Sequence, residues 1–414
     1  MSLSGVNPDI DDGPGPARPE PDPGSGAGRR WSVPRPLLLS LGLTGTLIYA
    51  GIRLLSVAMT AFMLQHGKYR APHWSLFRWA RSSDGGWYHT IATHGYAYPP
   101  GDLAHASVFS WFPGYPAVID SIAWLPGVTV YAAGLAVTAA AGLVAAWGLV
   151  TLGMKLTGDP RISLLMVALW AVAPMSIVLN MMYGEALFCA LAFWALLALV
   201  SRRWLTAGGL TLLAGTVRST AGALILAVLV AALIAVVQAV RARQPFAAWW
   251  RPVAAALLAP LGLLGYLGYV AVRTHRLDGW FWIEKHACHM AFDWGVSTTR
   301  VINSALTGKP SEQMLLVTLA LVAAVVLTLW SLTERIPVYL HVYTLTVVFL
   351  ALTTSANWFS SKPRFLLPAV LLTLPLARLL APLRTRVLVP LVGVLVVAST
   401  WFGLYVTVIA RWTP

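Results

Sequence analysis

The sequence predicts an all-α, polytopic membrane protein. Three observations carry that prediction. The 414 residues are 58% hydrophobic and only 11% charged, where a soluble domain carries roughly 25% charged residues. Mean hydropathy is +0.71, and uncharged apolar runs of about 20 residues, each long enough to cross a bilayer as a helix, recur along the chain. Every second loop between those runs, taken as the inner ones, carries basic residues, and the short outer loop after the third run has no Lys or Arg, in keeping with the positive-inside rule for a multi-spanning chain. A transmembrane barrel would show short segments alternating polar and apolar residues, and none is visible.

The net charge of +14 then reads as orientation and contact with anionic lipid headgroups. It does not point to nucleic acid, because no soluble basic domain is present to bind it. Two cysteines, Cys189 and Cys288, give neither a disulfide framework nor metal-ligand spacing.

In chain order, residues 1–34 come first. The stretch "DDGPGPARPEPDPGSGAGRR" has too little apolar surface to fold, so a disordered cytoplasmic tail is expected. Residues 35–414 are expected to form one transmembrane domain. Its first apolar run starts too late and is too long for a signal peptide, and reads as an uncleaved span. About eleven spans follow from hydropathy: 36–62, 128–153, 161–179, 184–200, 204–217, 221–240, 252–272, 313–332, 336–354, 364–381 and 387–410. The fifth is short enough to be re-entrant.

Charge gives the orientation. With the N-terminus inside, the inner segments hold Arg29, Arg30 and Arg35, then Lys155 and Arg161, Arg202 and Arg203, Arg241, Arg243 and Arg251, Arg335, and Arg384 and Arg386. The outer face receives three long or polar segments, 63–127, 273–312 and 355–364, and eight of the nine histidines lie in the first two. Chemistry is therefore expected on the outer face. No repeat of fixed period is seen, which weighs against an inverted-repeat transporter.

The first outer loop is too long for a connector. Its pattern predicts short interfacial helices: Trp74, Phe77 and Arg81 share one face, Trp87 and Ile91 another, and "VFSWFPGYPAVIDSIAWLPG" makes a third segment. Asp84 stands between two of them in "SSDGGWYHT". It reads as a helix N-cap and, compatibly, as a carboxylate near the interface with a raised pKa, suited to a general base. Gly85 and Gly86 let a substrate or backbone come close. The aromatics Trp87, Tyr88, Tyr96, Tyr98, Trp111, Phe112 and Tyr115 read as an interfacial belt, or as a platform for the C–H faces of sugars.

Other charged residues stand out. Glu185 in "MMYGEALF" opens a span, and Arg218 in "GTVRSTAG" breaks the positive-inside pattern. Arg218 needs an anionic partner, either Glu185 or a lipid phosphate. Lys362 and Arg364 in "NWFSSKPRFLLPA" form a second outer basic pair, fit for phosphate or for snorkelling to headgroups. Arg53 inside the first span is expected to snorkel outward or pair with Asp84 or Asp120. His286, Cys288, His289 and Asp293 are clustered without a second ligand set, so no metal is expected.

"DGGWYHTIATHGY" followed by "FSWFPGYP" resembles the first-loop signature of the PIG-V-like mannosyltransferases, polytopic GT-C enzymes that use lipid-phosphate sugars. "YGEALFCALAFWALLALVSRRWLTAGGLTLLAGTVRSTAG" looks like that family's acidic helix and Arg-containing turn, and "GWFWIEKHACHMAFDWG" and "SSKPRFLLPA" look like later outer segments of its actinobacterial members. The family usually places an aromatic directly before the acid, where this chain has Ser83. The resemblance implies a GT-C-like fold, no cofactor, polyprenyl-phosphate mannose as donor and a lipid or glycan acceptor. It implies Asp84 as the base of an inverting displacement, and Arg218, Lys362, Arg364, Glu185, Trp87, Tyr88 and Tyr115 around the donor and its phosphate. Localisation would be the plasma membrane, with the site facing out. The alternatives are a multi-span transporter or lipid flippase, and a GT-C-like accessory protein without catalysis.

Overall fold

The computed structural model describes residues 35–66, 75–96 and 106–409. The tail expected over 1–34 lies outside them, as do Trp74 and Tyr98. Among the described residues the chain is helical throughout, with no strand and one isolated bridge between Phe292 and Thr354. The helices are α1 (Arg35–His66), α2 (Leu76–Ala80), α3 (Asp84–His94), α4 (Gly114–Ala123), α5 (Val130–Thr157) and α6 (Pro160–Ala171). Next come α7 (Glu185–Val200), α8 (Trp204–Gly215), α9 (Ala221–Arg241), α10 (Trp250–Leu258), α11 (Leu261–Thr274) and α12 (Gly279–His286). The last are α13 (Val296–Thr307), α14 (Glu312–Ser331), α15 (Val338–Thr353), α16 (Lys362–Phe365), α17 (Thr373–Leu380) and α18 (Thr385–Leu404).

Among the described residues, six helices are long and apolar enough to cross a membrane: Pro36–His66, Val130–Thr157, Ala221–Arg241, Trp250–Thr274, Glu312–Ser331 and Thr385–Val408. A pair bent by 73°, Asn357–Phe365 with Val370–Leu380, makes a seventh if it counts as one span. That is fewer than the eleven expected. The other four apolar runs also fold as helices, but stop short: α6, α7, α8 and α15 have 12, 16, 12 and 16 residues. At a rise of about 1.5 Å per residue they reach roughly 18–24 Å, against a hydrocarbon core of about 30 Å. Hydropathy does not see where such helices stop. The run 161–179 is cut at Ala171, because Pro174 cannot continue a helix and Met175 turns left-handed at φ 61.

The core centres on α5, which packs against α1, α6 and α7. Small residues allow the approach; a Cβ on Gly153 would come within 3.0 Å of the Ser163 backbone. Helix α7 is apolar all round and almost wholly buried, as a central helix must be. The turn between α5 and α6 is written in "TGDP". Gly158 closes α5 at φ 69, Asp159 Oδ1 accepts from the N–H of Arg161 at 2.7 Å, and Pro160 sits first in α6.

Arg53 neither snorkels nor meets Asp84 or Asp120. It is buried and donates to the carbonyls of Ala171 and Ser176, the latter at 2.6 Å. The carbonyls freed where α6 breaks need donors, and Arg53 supplies them. Contacts tie some of the segments expected inside: Arg161 donates to Leu383 O, and Glu334 pairs with Arg378 at 2.9 Å.

Candidate active site

The first outer segment folds as α2, α3, a short 3-10 turn at 106–110, and α4. Trp79 at the end of α2 is fully buried and donates its indole N–H to Thr407 Oγ1 at 3.1 Å. The N–H of Met182 donates to Ala80 O at 2.8 Å, tying the segment before α7 under the α2–α3 turn. Between the helices Ser83 adopts φ 57, ψ −121, a conformation that favours glycine and stores strain of about 1–3 kcal/mol in other residues.

That turn sends Asp84 inward. Helix α3 buries Asp84, Gly85, Tyr88 and Ile91 and leaves Gly86 exposed. Gly85 fits closely, since a Cβ there would lie 3.4 Å from the Met182 Cβ. No N–H of the first turn bonds the Asp84 carboxylate; Oδ2 instead accepts from Arg364 Nη1 at 2.9 Å. The geometry thus decides against the N-cap reading.

Three further element ends bring charge to the same place. Glu185 is the first residue of α7 and is 1% exposed. Arg218 lies in the turn between α8 and α9, and its Nη1 stands 2.6 Å from Glu185 Oε1. The partner that the sequence demanded for Arg218 is therefore Glu185. Arg364 sits on α16, just before the break of the bent pair, with Nε 3.6 Å from the same Glu185 oxygen. Two carboxylates and two guanidiniums form one chain, Asp84, Arg364, Glu185 and Arg218, buried except for the partly exposed Arg218. Neither Glu185 oxygen nor Arg364 Nε makes a hydrogen bond among the described residues, so Glu185 meets the guanidiniums as ion pairs. Burial raises the Asp84 carboxyl above its ordinary range, with the Arg364 guanidinium opposing and the Glu185 carboxylate reinforcing.

The expected aromatics divide. Tyr88 is buried and its phenol feels all four charges. Tyr115 lies edge-on behind it with centroids 4.8 Å apart, its hydroxyl donating to Gly134 O at 2.9 Å. Phe112 is buried as well. These three rings pack into protein and are no membrane belt. Trp87 stacks on Trp111 at 4.8 Å, off the buried face of α3.

Lys362 is not in the cluster. Its ammonium is buried and donates to Ala351 O at 2.9 Å, Thr354 O at 2.6 Å and Thr354 Oγ1 at 3.2 Å. All three N–H groups thus satisfy the C-terminal end of α15. The cluster 286–293 also disperses. His286 Nδ1 meets Trp282 O, Cys288 Sγ lies 2.9 Å from Ser110 Oγ, and Asp293 accepts from the N–H groups of Gly295 and Ser297. Among the described residues no three His, Cys, Asp or Glu side chains could hold a metal ion.

Sequence reasoning passed over Tyr183. It is fully buried, its hydroxyl lies 3.4 Å from the Asp84 N–H, and Arg364 stands 5.4 Å over its ring. A tyrosine in "NMMYGE" gives no signal beyond an apolar core. An open apolar groove of about 530 Å³ runs between α8 and α11, with Leu212, Thr216 and Tyr266 in its walls. Thr216 is two residues from Arg218.

The fold and site define a class: a helical, multi-pass membrane protein with an acid–guanidinium cluster buried at the ends of its helices. No protein-family model matches the chain, and no curated protein matches it in sequence.

Proposed function

We propose that the chain is a membrane glycosyltransferase of the PIG-V-like, GT-C type, moving mannose from polyprenyl-phosphate mannose to an acceptor outside the cytoplasm. One observation carries this reading. Four charged residues from distant parts of the sequence meet, with Asp84, Glu185 and Arg364 buried and Arg218 partly exposed, and neither Glu185 oxygen nor Arg364 Nε makes a hydrogen bond among the described residues. A site that only held the fold together would satisfy those groups.

In the reaction, the acceptor hydroxyl attacks the anomeric carbon and gives its proton to Asp84. The bond from that carbon to the phosphate oxygen breaks, and polyprenyl phosphate leaves as an anion, so the leaving group needs no proton. Arg364 and Arg218 stabilise the charge on the departing phosphate. A single displacement inverts the anomeric centre, as in inverting glycosidases. Before the donor arrives, Arg364 is held by Asp84 and Glu185. Phosphate competes for that guanidinium and releases Asp84 to the acceptor. The apolar groove between α8 and α11 suits the lipid tail. Helix ends are where an outward-facing site of this topology would lie, which favours transfer over transport through mid-membrane charges.

The test uses membranes with labelled polyprenyl-phosphate mannose. Asp84→Asn is expected to lower transfer by about 10²–10⁴-fold, the usual contribution of a general base. Equal transfer in both proteins would remove Asp84 from the role. An absence of transfer in wild type from any sugar-phosphate lipid would sink the enzyme reading.

A further inference from the structure

A second polar group stands beside the acid cluster. Helix α12 packs on the 106–110 turn, and Ile91 of α3, Phe112 and Tyr266 of α11 close a small core around it. The Tyr266 hydroxyl donates to Phe109 O at 2.8 Å and Trp111 O at 3.0 Å. This grips both neighbours of Ser110 and fixes its hydroxyl toward α12. There Ser110 hydrogen-bonds the Glu284 carboxyl and lies 2.9 Å from Cys288 Sγ. Glu284 is close enough to Asp84 for their charges to interact, and no cation pairs with it among the described residues. Burial pushes its carboxyl up to about 7 and the Cys288 thiol up to about 12, so the thiol is a neutral donor.

One turn before Glu284, on the same face of α12, stands Trp280. Its indole N–H is buried and has no hydrogen-bond partner among the described residues. Its ring meets Phe112 edge-on at 5.9 Å, and Phe112 lies 4.5 Å from the Tyr266 ring. A carboxylate and an unused N–H donor therefore lie one turn apart on α12, with the Phe112 and Tyr266 rings packed beside the indole. A cation would not need the N–H, and a phosphate would be repelled by the carboxylate. A neutral polyol uses both, and its C–H faces pack on the rings.

We propose that Glu284, Ser110 and Trp280 form a sugar-binding subsite that holds the acceptor next to Asp84. Glu284 and Ser110 accept hydrogen bonds from sugar hydroxyls, and the Trp280 N–H donates to a ring or hydroxyl oxygen. Naming the sugar as the acceptor rests on the transferase reading; the binding of a sugar does not.

The experiment is saturation-transfer NMR on the full chain in lipid nanodiscs, with soluble mannobiose as the probe. It needs no donor and no turnover, so it can fail or succeed independently of the Asp84→Asn comparison. Wild type should transfer saturation to mannobiose. Glu284→Gln and, separately, Trp280→Phe should each weaken binding about ten-fold, the scale of one lost hydrogen bond to a charged or buried group. Adding saturating farnesyl phosphate should leave the mannobiose signal in place. No transfer in wild type, or undiminished transfer in both variants, overturns the subsite. Displacement of mannobiose by farnesyl phosphate overturns its assignment to the acceptor.

Discussion

Glu185 holds two guanidiniums at once, and it is the least exposed of the four cluster residues. Asp84 holds one, and burial already disfavours its charge. Removing one partner of a buried pair strands the other, at a cost of about 3–5 kcal/mol. Glu185→Gln should therefore destabilise the protein by about that much, and clearly more than Asp84→Asn, in denaturant unfolding at fixed detergent. Equal losses would mean that the two acids are not different in kind. Glu284 makes a pH prediction. Its folded pKa is raised from 4.5 to about 7, so its contribution to stability is present below about pH 4.5 and is lost as pH rises through about 7. Subtracting the unfolding midpoints of Glu284→Gln from those of wild type isolates that loss from the titration of Asp84 nearby. A flat difference between pH 4 and 8 (about four units) would contradict it. Ionised residues stand out in a chain with 11% charge, so Asp84, Glu185, Arg218 and Arg364 were legible in the sequence. The direction of a side chain was not. Lys362, two residues before Arg364, turns the other way, and Glu284 was hidden beside the more conspicuous histidines of "EKHACH".

Lys362 shows how elements depend on one another. Helix α15 ends at Thr353 with carbonyls that its own turns cannot satisfy. The ammonium from α16 caps them and so fixes the angle between α15 and the strand-free bend that carries Arg364. Lys362→Met keeps the length of the side chain and removes the donors. It should cost about 1–3 kcal/mol and shift unfolding, while the KM for a polyprenyl-phosphate donor stays within about two-fold, since no N–H of Lys362 remains for phosphate. A large rise in donor KM with unchanged stability would return Lys362 to the phosphate site. The eleven apolar runs all hold helix, because hydropathy reports burial or lipid contact equally well. Length failed as a guide because breaks such as Pro174 and the Gly215 end of α8 are set by backbone chemistry and by neighbours. A Cβ on Gly215 would stand 2.6 Å from the Leu263 N of α11, a constraint that no single helix records.

Among the described residues, two groups of charged contacts stand apart in the sequence. Asp84, Glu185, Arg218 and Arg364 meet at the ends of α3, α7, α8–α9 and the bent pair. Arg161 reaches Leu383, and Glu334 reaches Arg378, across loops that carry the basic excess. Basic loops resist translocation, so these loops should face the cytoplasm and the acid–guanidinium cluster the outside. That polarity is a requirement of the proposed reaction, because a donor consumed outside must meet a site open to that side. Two exposed positions report it: Leu277, fully exposed between α11 and α12, and Gln244, exposed after α9. With Cys288 replaced by serine to remove the half-buried thiol, and Cys189 buried in the core, a membrane-impermeant maleimide should label Leu277→Cys in intact cells. Gln244→Cys should be labelled only after permeabilisation. The reverse pattern would turn the cluster toward the cytoplasm, and a transferase drawing on an outward-facing lipid-phosphate sugar could not then use Asp84.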